Sequence, residues 1–470
     1  MKILVLTIGI LLCQVTNVSC LEFFQIVMSK INEFADTVVK SFQDFGATVK
    51  SFMYGDTHRN TKPVHSQAIP YNKLKTERYP EKHYPTLRTD TEPTTLLSTP
   101  QLAALHGKKV ESHVISTKDG YLLTLHRIVL DQSLDTFNNT VLLHHGLLGS
   151  SADWILLGAN RSLPYILSNY GYDVWMINTR GNYYSRGHIE MKVDCAEYWS
   201  FSFHEMGVYD LRATVEYIRK IKNNTEKINF IGHSMGASAF LVLVSTLPMY
   251  NEYFRIAIFI APLVYLNNIK GPLKMTTTIF SEIKDGEFFS QRKIPKDVAS
   301  HFCEGLNIFC SNPLFFLSGL PSHKDWNDSF ISTLIYHIPA GGSTNTIKHY
   351  QQMAASGRFH RFGDMFAEYP LSEVTVPIAM LSSTDDWIAT APDVLKLFYT
   401  IMTPVDNYVI HGRNISHTEF LWGPRADTVV FPRLLEYMKN GTNFSSMSKN
   451  EIQLNDTNFE ANGVGSMLNY

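Results

Sequence analysis

One stretch constrains this chain more than any other: Ile228-Asn-Phe-Ile-Gly-His-Ser-Met-Gly-Ala-Ser-Ala-Phe-Leu-Val-Leu-Val244. Its opening residues read as a short buried strand, and its last nine as the start of an apolar helix. Between them lies Gly232-His233-Ser234-Met235-Gly236, a G-x-S-x-G pentapeptide. A strand that turns this sharply into a helix can hold a serine in a strained conformation with its hydroxyl presented for chemistry. Glycines flank the serine because the turn brings backbones too close for a Cβ. Ser234 is therefore the candidate nucleophile, and the chain around it should be a sheet that carries such a turn at its edge.

The remaining segments agree with that sheet. Lys108 to Leu130 reads as two alternating strands joined at Lys118-Asp119-Gly120, a hairpin signal. Strands are expected at Val141–His144, Asp173–Ile177, Ile256–Ala261, Val376–Leu381 and Tyr408–Ile410. Helices alternate with them. Glu205 to Lys222 should pack inward through Met206, Tyr209, Leu211, Val215, Ile218 and Ile221, and Ala391 to Met402 forms a second helix. Alternation of this kind predicts an α/β fold with a mostly parallel central sheet covered by helices on both faces. Residues 267 to 371 break the rhythm; they are aromatic-rich, lack strand alternation, and are expected to form a cap over the C-terminal edge of the sheet.

A serine hydroxyl needs a base to take its proton, and the base needs a carboxylate to orient it. On such a sheet the acid and then the base follow the serine in the chain. After the strand Val376–Leu381 come Asp385 and Asp386, either of which can reach across the sheet edge. Beyond Tyr408–Ile410 come His411 and His417, and His417 sits at a loop-to-helix end, where a base belongs. An oxyanion needs two backbone N–H donors. Met235 follows the nucleophile, and Leu147 follows Gly146 in the loop after the strand Val141–His144. Adjacent His144 and His145 point to opposite sides of a strand and have no carboxylate cluster beside them, so they do not read as metal ligands.

The termini bear on compartment. Met1-Lys2, the apolar run Ile3–Leu12 and Val18-Ser19-Cys20 read as a secretory signal peptide over residues 1–20. In that compartment cysteines and sequons acquire meaning. Of five cysteines, Cys303 and Cys310 lie close together in one segment, which suits a local disulfide, and Cys195 is then unpaired. Asn138, Asn160, Asn223, Asn327, Asn414, Asn440, Asn443 and Asn455 each begin an N-x-[S/T] sequon. Residues 21–53 carry Phe24, Met28, Ile31, Ala35, Val38, Phe42, Phe45, Val49 and Phe52 on one helical face. That face suits packing on its own domain or in a dimer, or docking on a lipid surface or partner. Residues 54–98 are a linker or pro-segment, and residues 441–470 a polar tail. A formal net charge of -2, with no domain-wide basic excess, excludes a general nucleic-acid binder.

Several long motifs are similar to those of the animal acid lipases, the group that includes gastric, lysosomal and insect digestive lipases. His145-Gly-Leu-Leu148 with Ser151-Ala-Asp-Trp154 resembles that family's oxyanion loop. Asp173-Val-Trp-Met-Ile-Asn-Thr-Arg-Gly-Asn182 with Tyr184-Ser-Arg186, and Tyr198–Leu211, resemble two further signatures. His417-Thr-Glu-Phe-Leu-Trp-Gly423 resembles its closing motif. The resemblance covers about residues 99–440. It implies an α/β-hydrolase whose core, 99–266 and 372–440, is interrupted by a helical cap or lid at 267–371, before the catalytic acid. It implies Ser234 as nucleophile, Asp386 rather than Asp385 as acid, His417 as base, Leu147 and Met235 as oxyanion donors, and Cys303 with Cys310 as the cap disulfide. The expected activity is hydrolysis of neutral lipid esters, triacylglycerol or cholesteryl ester, at a lipid–water interface, with transient contact to a membrane or lipid-droplet surface. It would occur outside the cell or in the lysosome, without metal or organic cofactor. Two features depart from the family: Met235 stands where glutamine is common, and the 21–98 extension exceeds the usual start.

Overall fold

Six parallel strands, most of them short apolar runs, form the centre of the main sheet. The structure is a computed structural model, and it describes residues 97–130, 139–223, 226–271, 284–288, 328–413 and 415–441. The signal peptide, the 21–53 helix, nearly all of the 54–98 segment, Cys303, Cys310, Asn138, Asn327, Asn414, Asn443 and Asn455 lie outside the described residues. In chain order the strands are β1 (Val110–Ser116), β2 (Tyr121–Ile128), β3 (Thr140–His144), β4 (Asp173–Met176), β5 (Gly187–His188), β6 (Ile228–His233) and β7 (Phe254–Ile260). They continue with β8 (Glu287–Phe288), β9 (Gly342–Ser343), β10 (His360–Arg361), β11 (Asp364–Glu368), β12 (Ile378–Ser383) and β13 (Pro404–Ile410).

The main sheet has the order β1-β2-β4-β3-β6-β7-β12-β13, with β5 paired to β2. From β4 to β13 every pairing is parallel, whereas β1, β2 and β5 are antiparallel. The apolar runs follow from burial on both faces. Along β6, Phe230 enters one core and Ile231 the other. Along β7, Ala257 and Phe259 face one core, while Ile256, Ile258 and Ile260 face the opposite one. The helices Met235–Thr246, Arg212–Ile221 and Ala391–Thr400 cover the first face. Thr99–Leu105, Leu163–Asn169 and Phe431–Asn440 cover the second.

Two expectations are corrected. The helix from Glu205 does not present a single 3.6-residue face. It begins as Phe203–Glu205, widens into a π-helical stretch at Met206–Leu211, and becomes α-helical only over Arg212–Ile221. The wide turn shifts the register. Gly207 and Asp210 are buried there, Tyr209 is only half-buried, and Ile221 is exposed. The inward Asp210 accepts hydrogen bonds from the backbone N and the Nε of buried Arg180, at 2.9 and 2.8 Å. A charged partner thus determines which side chain turns in, a preference that hydrophobic periodicity does not register.

The second correction concerns residues 267–371. They contain, besides the helices Asp328–His337 and Thr344–Ser356, two small antiparallel pairs, β8 with β9 and β10 with β11. β11 lies on the surface with Asp364, Met365, Phe366 and Glu368 exposed. A strand with neither face buried leaves no alternation in its sequence.

The π-helical stretch packs closely on the helix that follows Ser234. A Cβ added to Gly207 would fall 2.6 Å from Ala239 O and 2.8 Å from Val242 Cγ1. Backbone cannot yield to such a contact as a flexible side-chain end can. Gly207→Ala should therefore destabilise the fold by about 1–3 kcal/mol, read as a lower midpoint in urea unfolding; an unchanged midpoint would refute this packing argument.

Candidate active site

Ser234 sits where β6 ends and the helix Met235–Thr246 begins, with φ 53° and ψ −112°. A non-glycine residue at positive φ is strained, and its peptide groups are held on both sides. Its N–H donates to Ile260 O at 2.9 Å, and its carbonyl accepts from Leu263 N at 3.3 Å and Ala237 N at 3.1 Å. The flanking glycines are required by contact. A Cβ on Gly232 would lie 2.7 Å from Phe230 Cε1, and one on Gly236 only 2.6 Å from His144 O.

The tertiary structure brings together three residues far apart in the chain. His417 Nε2 lies 2.9 Å from Ser234 Oγ, and His417 Nδ1 lies 2.8 Å from Asp386 Oδ2. An ionised carboxylate only accepts, so Nδ1 carries the proton and Nε2 is left to accept from the serine hydroxyl. The other oxygen of Asp386 accepts from Ile388 N at 2.8 Å and Ala389 N at 3.0 Å, which fixes the carboxylate in the loop after β12. Asp386 is fully buried and His417 nearly so. Asp385 does not share this position: it is half-buried, and its N–H donates to Ser383 Oγ. His411 is exposed past the end of β13.

The loop after β3 closes on the same point. A Cβ on Gly146 would lie 3.3 Å from Ser234 Cβ and 2.9 Å from His233 Nδ1. The Gly146 carbonyl accepts from His145 Nδ1–H at 2.8 Å and from Gly149 N at 3.2 Å. Because a trans peptide holds C=O and N–H antiparallel, pinning this carbonyl also aims the N–H of Leu147. Met235 is the first residue of its helix, so its N–H has no intrahelical acceptor and lies at the positive end of the helix dipole. The Met235 side chain is buried in the core on the helix face of the sheet. Its departure from glutamine thus changes packing and leaves the backbone donor in place.

Some contributors carried no sequence signal. His233 donates Nε2–H to the His417 carbonyl at 3.2 Å, holding the backbone of the base from the residue before the serine. Trp422 Nε1 donates to Asp153 O at 2.9 Å, tying the segment after His417 to the loop after β3. Both depend on which loops meet at the sheet edge. The two histidines at the end of β3 bind backbone: His144 Nδ1–H donates to His145 O at 2.9 Å, and His145 Nε2 accepts from Thr179 N at 3.2 Å. Among the described residues no group of three or more His, Cys, Asp and Glu side chains is placed to hold a metal ion. Cys195 is exposed and free, and the described sequon residues Asn160, Asn223 and Asn440 are all exposed.

Burial keeps the neighbouring histidines neutral. Desolvation pushes His144 down to about 4, and His145 and His233 down to about 3; His144 also depresses His145, and His417 depresses His233. Below pH 6.5 the unfolded chain protonates these rings while the folded chain does not, so acid favours unfolding. Each of the three should cost about 1.4 kcal/mol of stability per pH unit between 6.5 and its folded value. Urea unfolding is expected to show a lower midpoint at pH 5 than at pH 7, and equal midpoints would contradict the neutral assignment.

Comparison with known proteins gives the family. Residues 139–398 match the alpha/beta hydrolase fold family, and residues 99–158 match the partial alpha/beta-hydrolase lipase region. Lipase 3 of Drosophila melanogaster is 31% identical over 364 residues, covering 71% of this chain and 91% of that protein. Gastric triacylglycerol lipase of Bos taurus is 30% identical over 374 residues, covering 74% of this chain and 92% of that protein. Lysosomal acid lipase/cholesteryl ester hydrolase of Macaca fascicularis is 29% identical over 376 residues, covering 75% and 93%. With its hydrolase sheet and lipase relatives that align over most of their length, the chain belongs to the acid lipase family of the α/β-hydrolase fold and is a lipase-type ester hydrolase.

Proposed function

We propose that the enzyme hydrolyses neutral lipid esters by a serine mechanism through an acyl-enzyme on Ser234. The observation that carries this reading is the relay from Ser234 Oγ to His417 Nε2 at 2.9 Å and from His417 Nδ1 to Asp386 Oδ2 at 2.8 Å. His417 removes the hydroxyl proton as Oγ attacks the ester carbonyl. The N–H groups of Met235 and Leu147 hold the oxyanion of the tetrahedral intermediate. His417 then returns the proton to the departing alcohol, and Asp386 stabilises the imidazolium in between. Water, deprotonated by His417, attacks the acyl-enzyme; the second intermediate collapses to release the fatty acid and restore Ser234.

Triacylglycerols and cholesteryl esters are the proposed substrates, in keeping with the names of the gastric and lysosomal relatives. The segment 267–371 serves as the cap over the site, and Cys303 pairs with Cys310 within it. The enzyme works at a lipid–water interface in a secreted or lysosomal setting, which suits the signal-like start and the exposed sequon residues Asn160, Asn223 and Asn440. No helix among the described residues is long and apolar enough to cross a membrane.

Two variants test the mechanism on a soluble medium-chain ester. Ser234→Ala should lower kcat at least about a thousandfold, and Asp386→Asn should cost a comparable factor by releasing the His417 tautomer. Both should unfold at the wild-type urea concentration to within about 1 kcal/mol. Full activity of Ser234→Ala would end the assignment.

A further inference from the structure

A second hydrogen-bonded relay runs to the backbone of Ser234, and it involves neither His417 nor Asp386. Tyr350 lies on the helix Thr344–Ser356, within the segment between β7 and β12. Its hydroxyl is 3.0 Å from Ser238 Oγ, one turn along the helix that Ser234 opens. Ser238 Oγ in turn donates to the carbonyl of Leu263. A serine hydroxyl has one proton, so with that proton on Leu263 the Tyr350 hydroxyl must be the donor to Ser238. The direction of the relay is therefore fixed: Tyr350 O–H to Ser238 Oγ, and Ser238 O–H to Leu263 C=O. Leu263 completes it, because its own N–H donates to the carbonyl of Ser234 at 3.3 Å.

The relay ends on the part of the site that most needs support. Ser234 is held at φ 53°; besides the helix's own Ala237 N–H, its backbone anchors come from one short segment, Ile260 on its N–H and Leu263 on its carbonyl. That segment is strained as well, with Ala261 at φ 49°. Ser238 grips it through Leu263 C=O, and Tyr350 fixes the Ser238 rotamer. Every side chain in the relay is enclosed: Ser238 is fully buried, Leu263 is 5% exposed and Tyr350 is 7% exposed. Water is thus a poor substitute donor if the Tyr350 hydroxyl is lost. The ring of Tyr350 packs separately on Phe203, with centroids 4.8 Å apart, so its packing and its hydrogen bond can be removed independently.

We propose that Tyr350 is a positioning residue for the nucleophile, acting through Ser238 and Leu263 to hold the backbone of Ser234 in its strained conformation. Seating of the helix Thr344–Ser356 is thereby coupled to the readiness of Ser234. This inference rests on Ser234 being the nucleophile.

Tyr350→Phe keeps the ring and removes only the donor. On p-nitrophenyl butyrate its kcat should fall roughly two- to tenfold, the kinetic equivalent of one buried hydrogen bond, while KM stays within about twofold. Phosphonylation of Ser234 by a fluorophosphonate should slow by the same factor. Ser238→Ala should give the same loss, and the double variant no further loss, because both break one relay. An unchanged kcat in either folded single variant overturns the proposal, as do losses that multiply in the double variant. A lower melting temperature with wild-type kcat also overturns it, since that is what packing alone would produce. Ser234→Ala, assayed in parallel, separates the two failures: wild-type hydrolysis there sinks the nucleophile reading itself, whereas a Ser234→Ala slowed about a thousandfold beside a fully active Tyr350→Phe sinks only the relay.

Discussion

A serine held at φ 53° and ψ −112° carries on the order of 1–3 kcal/mol of backbone strain. That strain persists only where the surroundings over-determine the conformation. Here Ile260 and Leu263 bind the two peptide groups of Ser234, and glycines at 232 and 236 let β6 and its helix approach closely enough to make the turn. The parallel register of β6 with β7 puts His233 opposite Ile260, which brings the supporting segment alongside the elbow. Much of the architecture serves this one local geometry. The sheet supplies the register, the two apolar cores hold the sheet rigid, and the loops at its C-terminal edge bring in His417, Asp386 and Gly146.

Around the elbow the electrostatics are arranged by exclusion. Three buried histidines, 144, 145 and 233, lie close to the reacting groups, and burial keeps each neutral to well below pH 6.5. Neutral imidazoles can bind backbone groups without adding charge: each of the three donates to a carbonyl, and His145 also accepts from Thr179 N. His145 sets the peptide plane of Gly146, and His233 holds the His417 carbonyl. His417 is the ring whose two nitrogens join a carboxylate to a hydroxyl, and so the one equipped to shuttle a proton. The same desolvation that keeps its neighbours neutral makes the site costly to maintain in acid.

Much of the fold was legible because its signals are local. Apolar runs bounded by turn residues marked β3, β4, β6, β7 and β12, and burial on both faces of a parallel sheet explains why they are runs rather than alternations. Failures came where a nonlocal partner overrode periodicity. Asp210 turns inward to meet Arg180, which the spacing of Met206, Val215 and Ile218 does not reveal. β11 has no buried face and so leaves no pattern to read. Within the site, Gly232, Ser234 and Gly236 form one contiguous motif, whereas the contacts of His233, Trp422, Ser238 and Tyr350 join distant segments.

By itself the sequence marked a strand turning into a helix at Ser234, because two glycines flank a serine between two apolar runs. Chain order then narrowed the acid to Asp385 or Asp386 and the base to His411 or His417. The family resemblance pointed to Asp386 and His417 within those pairs; the contacts they make, and how the serine is held, exist only in the tertiary structure. Asp386 and His417 are separated from Ser234 by more than a hundred residues, and their meeting depends on strand order, register and loop path. The same holds for the support of the elbow. Hydrogen-bond direction through Tyr350, Ser238 and Leu263 exists only once the helix, the turn and the segment after β7 are packed together, because a donor has no direction until its acceptor is in place.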